Sequence, residues 1–332
     1  MKKVNLLYLS QEDVVGAGLG LGRVMEVVEE ALASHGHSMV EMPPKPGIHP
    51  RQSSFIHAMP VWIKDKDLCG IKWVSGYPGN KSYDLPQIAG LLILNNPETG
   101  MPLCVMDCRW ITAVRTAAVT AITAKHTAVR NARTLTVIGT GVQGRFNSVM
   151  LKIAVPTLET ILAYDLNEAS LQRYLKEMAD YGGAEARAAA SIEAAVKNAD
   201  IVLTATQRLD KPLIPLEWLK PGVCGFGLEA SRAWCGDAIL GVDKFITDDW
   251  EQTKYFAQYG AFADGLPKLH AELSEIVIGK KPGRENQQER ILAINLGMAV
   301  EDIAVAQEVY QRAIASGKGT ELTLMGEDLS AG

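Results

Sequence analysis

The chain has 332 residues, 47% hydrophobic and 21% charged, with a net charge of −5. That length suits about two domains with real cores, and the mild acidity argues against nucleic acid as a partner. No apolar run approaches the roughly 20 residues of a membrane span, so no membrane is expected. The opening stretch turns polar too soon for a signal peptide. Five cysteines (Cys69, Cys104, Cys108, Cys224, Cys235) are odd in number and lack zinc-ligand spacing. Reduced thiols in a cytoplasmic protein, with no metal site, are the simplest expectation.

Residues 4–9 predict a strand, and Ser10 an N-cap with Asp13 at the third helical position. Helix is expected to about Ser34, interrupted at Gly16, Gly18, Gly20 and Gly22. No β-branched strand precedes this glycine series, which argues against phosphate binding there. Met42–Pro50 is too proline-rich for helix or central strand. Strands are expected at Ser54–Met59, Leu68–Val74, Ile88–Leu94 and Leu103–Met106, the last two joined by a turn at Asn96–Gly100. This segment reads as a mostly antiparallel sheet with one helix on it, and alanine-rich helix follows from Thr112 to about Val129.

Next comes the stretch with the strongest signal. A β-branched run, Thr136-Val137-Ile138, meets Gly-x-Gly-x-x-Gly at Gly139, Gly141 and Gly144, through Thr140, Val142 and Gln143, and a helical pattern follows. Strand, glycine turn and helix in that order are what a dinucleotide fingerprint requires. The first glycine makes the tight turn, the second lets pyrophosphate approach, and the third lets helix pack on strand. The anion then sits on free N–H groups at the helix N-terminus. A second strand, Thr160–Asp165, ends in an acid 21 residues beyond Gly144. Asp165 suits the adenosine ribose hydroxyls and would repel a 2′-phosphate, which favours NAD over NADP; the plainer reading makes it the cap of the helix from Asn167.

Beyond Asp165 helix and strand keep alternating. Helices are expected at Glu168–Met178 and Ala194–Asn198, and strands at Asp200–Thr206, Trp218–Gly227 and Lys244–Asp249. A long amphipathic helix, Asn295–Ala315, should cross back to the first domain, the 317–332 tail being too polar for a core of its own. The fold class expected is α/β: a Rossmann-type doubly wound parallel sheet over residues 116–304, plus a smaller α+β domain of residues 1–115 with 305–332. Thr204, Ala205 and Thr206 end a strand that should face the cofactor, or the threonines simply cap it.

Several strings resemble the ornithine cyclodeaminase/μ-crystallin family, in order and over nearly the whole chain. They are Lys72-Trp-Val-Ser-Gly-Tyr-Pro, Leu85-Pro-Gln-Ile-Ala-Gly-Leu-Leu-Ile-Leu, Glu98-Thr-Gly-Met-Pro-Leu and Trp110-Ile-Thr-Ala-Val-Arg115-Thr-Ala-Ala. The glycine turn and Asn295-Leu-Gly-Met-Ala-Val-Glu-Asp302-Ile-Ala continue the match. The resemblance implies a homodimer built on the first domain's sheet, an active site between the domains, and hydride transfer at a carbon bearing nitrogen, through an imine. Thr116 and Asn295, in matching strings, join the cofactor set with Arg115.

By the same resemblance Lys72 and Arg115 bind a substrate carboxylate, a task that suits a bidentate guanidinium. Lys72 would also move a proton if burial lowers its pKa. Lys45 stands where many members carry a third cation, or is a solvated charge. Gln87 stands where members carry a threonine near the nicotinamide, and could instead be an ordinary sheet residue. Two departures bear on substrate. Ornithine-cyclising members carry an acid where this chain has His57, and an aspartate where it has Ser231, with Glu229 two residues earlier as a replacement. His57 is a candidate acid/base through near-neutral titration, or a hydrogen-bonded core histidine. The leading expectation is an NAD(H)-dependent amine or amino-acid dehydrogenase or imine reductase acting on a small molecule. The alternatives are ornithine cyclodeaminase and a non-catalytic binding protein.

Overall fold

A computed structural model describes residues 3–207 and 209–326. In chain order its strands are β1 (Val4–Leu9), β2 (Val40–Glu41), β3 (Gly47–Ile48), β4 (Phe55–Ile63), β5 (Leu68–Gly76), β6 (Ile88–Asn95) and β7 (Pro102–Asp107). Then come β8 (Thr134–Ile138), β9 (Thr160–Tyr164), β10 (Glu185–Ala188), β11 (Ile201–Thr204), β12 (Cys224–Gly227), β13 (Lys244–Thr247), β14 (Leu269–Glu272), β15 (Ile291–Ala293) and β16 (Thr320–Met325). The chain divides into two compact units, one of residues 1–115 with 298–332 and one of residues 116–297. The return to unit one thus falls at Met298 rather than residue 305, because the helix Ala299–Ala315 belongs whole to that unit.

Unit one is a sheet in the order β16-β1-β7-β6-β5-β4-β2, with β3 on β4. It is antiparallel except for the parallel β1–β7 pair. Register puts Met59, Lys72, Leu92 and Met106 in one row, and all four are buried. The helix Ala299–Ala315 packs on β4, β5 and β6 and against the helix Leu21–Gly36. Since side chains alternate between faces, the neighbouring row of Ala58, Trp73 and Leu91 lies on the other side of the sheet, where Trp73 and Leu91 are exposed. Ser10 and Asp13 form the expected capping box. The first helix stops at Gly16, and Gly18 takes a left-handed φ of 68° before the next begins at Leu21.

Unit two is a fully parallel sheet in the order β10-β9-β8-β11-β12-β15-β13-β14. The chain runs outward from β8 through β9 to β10, then returns to place β11 on the other side of β8. That reversal is the topological switch point, outside whose carboxyl ends such sheets bind ligands. Two expected elements are shorter than their apolar runs. Leu216–Trp218 is a 3-10 turn and Gly222 has a φ of 86°, so the strand expected from Trp218 begins only at Cys224. Gly297, at φ 84°, similarly delays the helix expected from Asn295 until Ala299.

Candidate active site

The fingerprint turn of unit two follows β8. A Cβ on Gly139 would run into the Ala205 carbonyl, and one on Gly144 into the Gly139 carbonyl, whereas one on Gly141 would meet nothing within 4 Å. The first and third glycines are therefore demanded by packing, and the second faces open space. Gly141 is also the N-cap of the helix Val142–Ala154 and gives it no side-chain cap. The first-turn N–H groups are thus left for an anion. Within this helix the Gln143 carbonyl and side-chain Oε1 accept from Asn147.

Asp165 stands directly after β9. Its Oδ2 accepts from the Thr140 N–H and hydroxyl, both at 2.8 Å, and its Oδ1 from the Asn167 N–H at 2.8 Å. The cap of the following helix is Asn167, which accepts from Ser170 N, so the capping reading of Asp165 is corrected. A carboxylate offers about four acceptor positions, and the Thr140 hydroxyl also lies 3.1 Å from Ser170 Oγ, an alternative partner that can release one. Asn295 donates to Thr123 Oγ1 at 3.2 Å, while its buried Oδ1 takes no hydrogen bond among the described residues. Glycine cradle, uncapped helix start, acid and open amide carbonyl together fit a dinucleotide. Thr116 lies on the helix Arg109–Thr127, where its carbonyl accepts from Thr120.

Just past β12, Glu229 accepts from Thr204 Oγ1 at 2.6 Å and from the Thr206 N–H at 3.1 Å. Burial pushes its carboxyl up to about 7, against the opposing pull of those bonds. Ser231 Oγ is buried and accepts from Phe262 N at 2.8 Å. That hydroxyl ties two loops together.

Unit one brings together the two cations of the resemblance. Lys72 Nζ donates to Asp302 Oδ2 at 2.5 Å, and Arg115 Nε to Asp302 Oδ1 at 3.0 Å. Arg115 Nη1 also donates to Glu301 Oε2 at 2.8 Å. All four residues are buried. Burial and the neighbouring guanidinium push Lys72 below the usual lysine range, with Asp302 opposing.

Lys45 is buried too, and its segment runs beside β4, where Gly47 pairs with His57. The His57 ring stacks on Phe55 at 4.4 Å, and a Cβ on Gly47 would strike it. Burial, then Lys45, His49 and Lys72, push His57 down to about 4. The expectation of near-neutral titration is therefore corrected: His57 is a neutral, stacked imidazole. Gln87 sits just before β6, where its backbone carbonyl accepts from Tyr77 N.

Residues 6–317 match the ornithine cyclodeaminase/mu-crystallin family. The chain belongs to that family. It is 35% identical to a nodulation efficiency protein of Rhizobium meliloti over 94% of this chain and 97% of that one. Among solved structures it resembles a Thermococcus litoralis Δ1-pyrroline-2-carboxylate reductase in complex with NADH and L-proline. That match has TM-score 0.86 and 29% identity, covering 95% of this chain and 99% of that one. It also resembles an archaeal alanine dehydrogenase dimer with bound NAD, at TM-score 0.86 and 30% identity, covering 97% and 100%.

Nothing in the resemblance gives Glu301 and Asp302, the acids that hold the two cations, a role of their own. The signal was present: two adjacent acids at the start of a helix rich in alanine and valine. Charged residues in so apolar a setting are paired when buried.

Proposed function

We propose that this protein is an NAD(H)-dependent oxidoreductase that moves hydride at the nitrogen-bearing carbon of a small amino or imino acid, through an imine. Alanine and Δ1-pyrroline-2-carboxylate, named in the relatives above, each carry a carboxylate beside a carbon–nitrogen bond. The observation that carries the reading is the buried Lys72–Arg115 pair, gathered around Asp302.

Arg115 grips that carboxylate with Lys45. Lys72, its proton affinity lowered, takes the proton that the substrate ammonium must lose before hydride can leave, and returns it in the reverse direction. NAD(H), when bound, supplies the hydride acceptor or donor. The Gly141 turn would receive its pyrophosphate and Asp165 its ribose, and Asn295 Oδ1, buried with no hydrogen bond among the described residues, would serve its nicotinamide end. The chain carries no acid at His57 or at Ser231, the two positions where the resemblance expects one in ornithine-cyclising members, and the Glu229 carboxylate is engaged by Thr204 and Thr206. Burying a distal ammonium such as that of ornithine unpaired costs several kcal/mol, so short or apolar side chains are preferred.

A second copy of the chain covers the outer face of the unit-one sheet. That face exposes Trp73 at 46%, Leu91 at 41% and Tyr8 at 40%, a broad apolar patch of the kind interfaces bury. The free cysteines fit a reducing cytoplasm. No helix among the described residues is long and apolar enough to cross a membrane.

The site assignment is tested with Lys72→Met and Arg115→Leu. Each is expected to lose at least about a hundredfold in kcat/KM, roughly 3 kcal/mol, while NADH still binds. Near-normal activity in both variants would show that the cations serve structure alone.

A further inference from the structure

Glu229 lies just past the carboxyl end of β12, facing the end of β11. Besides donating to Glu229, Thr204 Oγ1 accepts from the buried Trp234 Nε1 at 3.1 Å and lies 3.2 Å from the Phe226 carbonyl. The backbone held by these bonds, Ala205–Thr206, is the wall against which Gly139 packs with no room for a Cβ. Ala230, beside Glu229, sits in the left-handed region at φ 60°. A non-glycine residue keeps that conformation only where its surroundings over-determine it. Here they do: Glu229 is tied to Thr204 at the end of β11 and to Thr206 just past it, and Ser231 to Phe262.

We propose that Glu229 is a positioning residue for the nucleotide cofactor, its carboxylate pinning Thr204–Thr206 against the fingerprint turn and so setting the affinity for NAD(H). The inference rests on NAD(H) binding at that turn, as read above. An ionised carboxylate accepts both the Thr204 hydroxyl and the Thr206 N–H, and such charge-assisted bonds are about twice as strong as neutral ones. When Glu229 is protonated, its O–H donates to Thr204 instead, and the Thr204 hydrogen turns to the Phe226 carbonyl. Both states are satisfied, but only the ionised one holds the strand end by charge. The groups facing Glu229 are Thr204 of β11, Thr206 just past it, its own backbone N–H and, through Thr204, Trp234. Burial outweighs the bonds from Thr204 and Thr206, so the carboxyl titrates at about 7 and the two states exchange near neutrality. Cofactor affinity therefore rises with pH.

The test is NADH titration of the full chain, read by nicotinamide fluorescence from pH 6 to pH 8.5, with wild type and Glu229→Gln. If only the ionised form binds well, wild type should bind about tenfold more weakly at pH 6 than at pH 8, and Glu229→Gln should give a flat profile. In ¹⁵N spectra of the ligand-free protein, the Trp234 indole N–H should titrate with the same midpoint in wild type and stay fixed in the variant. A flat wild-type profile, a variant that keeps the wild-type slope, or an indole signal that ignores pH overturns the proposal. Should the variant fail to fold, the wild-type affinity profile and indole titration decide by themselves. A wild-type protein that binds no NADH at any pH overturns the cofactor reading instead.

Discussion

Asp302 accepts from Lys72 at 2.5 Å and from Arg115 at 3.0 Å, and all three side chains are buried. In Asp302→Asn the shape is kept, and the amide oxygen can still accept from Arg115 Nε. The amide nitrogen then faces the Lys72 ammonium, donor against donor. Removing one partner of a buried ion pair costs about 3–5 kcal/mol, chiefly because the other charge is stranded. In Lys72→Met the methionine occupies the lysine stem's place in the row between Met59 and Leu92, and Asp302 keeps Arg115. The double variant strands no ammonium. Its loss of stability should therefore be smaller than the sum of the single losses, by about 2 kcal/mol or more. Urea unfolding of the four proteins at one pH, followed by circular dichroism, measures the cycle. Additivity within about 0.5 kcal/mol, the range for independent sites, would refute the claim that Asp302 exists to hold these charges.

Gly144→Ala should destabilise the fold, because its Cβ meets the Gly139 carbonyl. Gly141→Ala should leave thermal stability nearly unchanged, since nothing lies within 4 Å, yet weaken NADH binding about tenfold or more; equal effects in both assays would contradict the roles given to the two glycines. With Asp165 in place, NADH should be used far better than NADPH, and Asp165→Ser should narrow the gap; equal efficiency in wild type would defeat the ribose assignment. After burial, Lys45 is the largest influence holding His57 at about 4, so Lys45→Met should raise the imidazole titration seen by NMR, and an unmoved titration would show that Lys45 has no part in holding it there.

The nucleotide unit was legible because its decisive signals are local. β8, the turn and the following helix occupy one contiguous stretch, and the first and third glycines are required by atoms only a few residues or one strand away. The short strands β10, β14 and β15 were not legible, being three or four residues long and stabilised by neighbouring strands. The cation cluster was half legible. Lys72 and Arg115 stand in recognisable strings, but their acidic partners lie 230 and 187 residues away, a distance across which spacing carries no information. His57 shows the limit of residue type: histidine titrates near neutrality in water, and here burial, Lys45, His49 and Lys72 set the result. At Ser231 the sequence registered a missing acid, and only the fold revealed what its hydroxyl does for Phe262.

The most direct test of the central claim is to supply NAD and a panel of short-chain amino acids alongside L-ornithine, following NADH absorbance and released ammonia together. The account predicts that at least one short-chain amino acid yields one NADH per substrate oxidised, and that ornithine is turned over at least a thousandfold less efficiently. Efficient conversion of ornithine to proline and ammonia with no net NADH would contradict it.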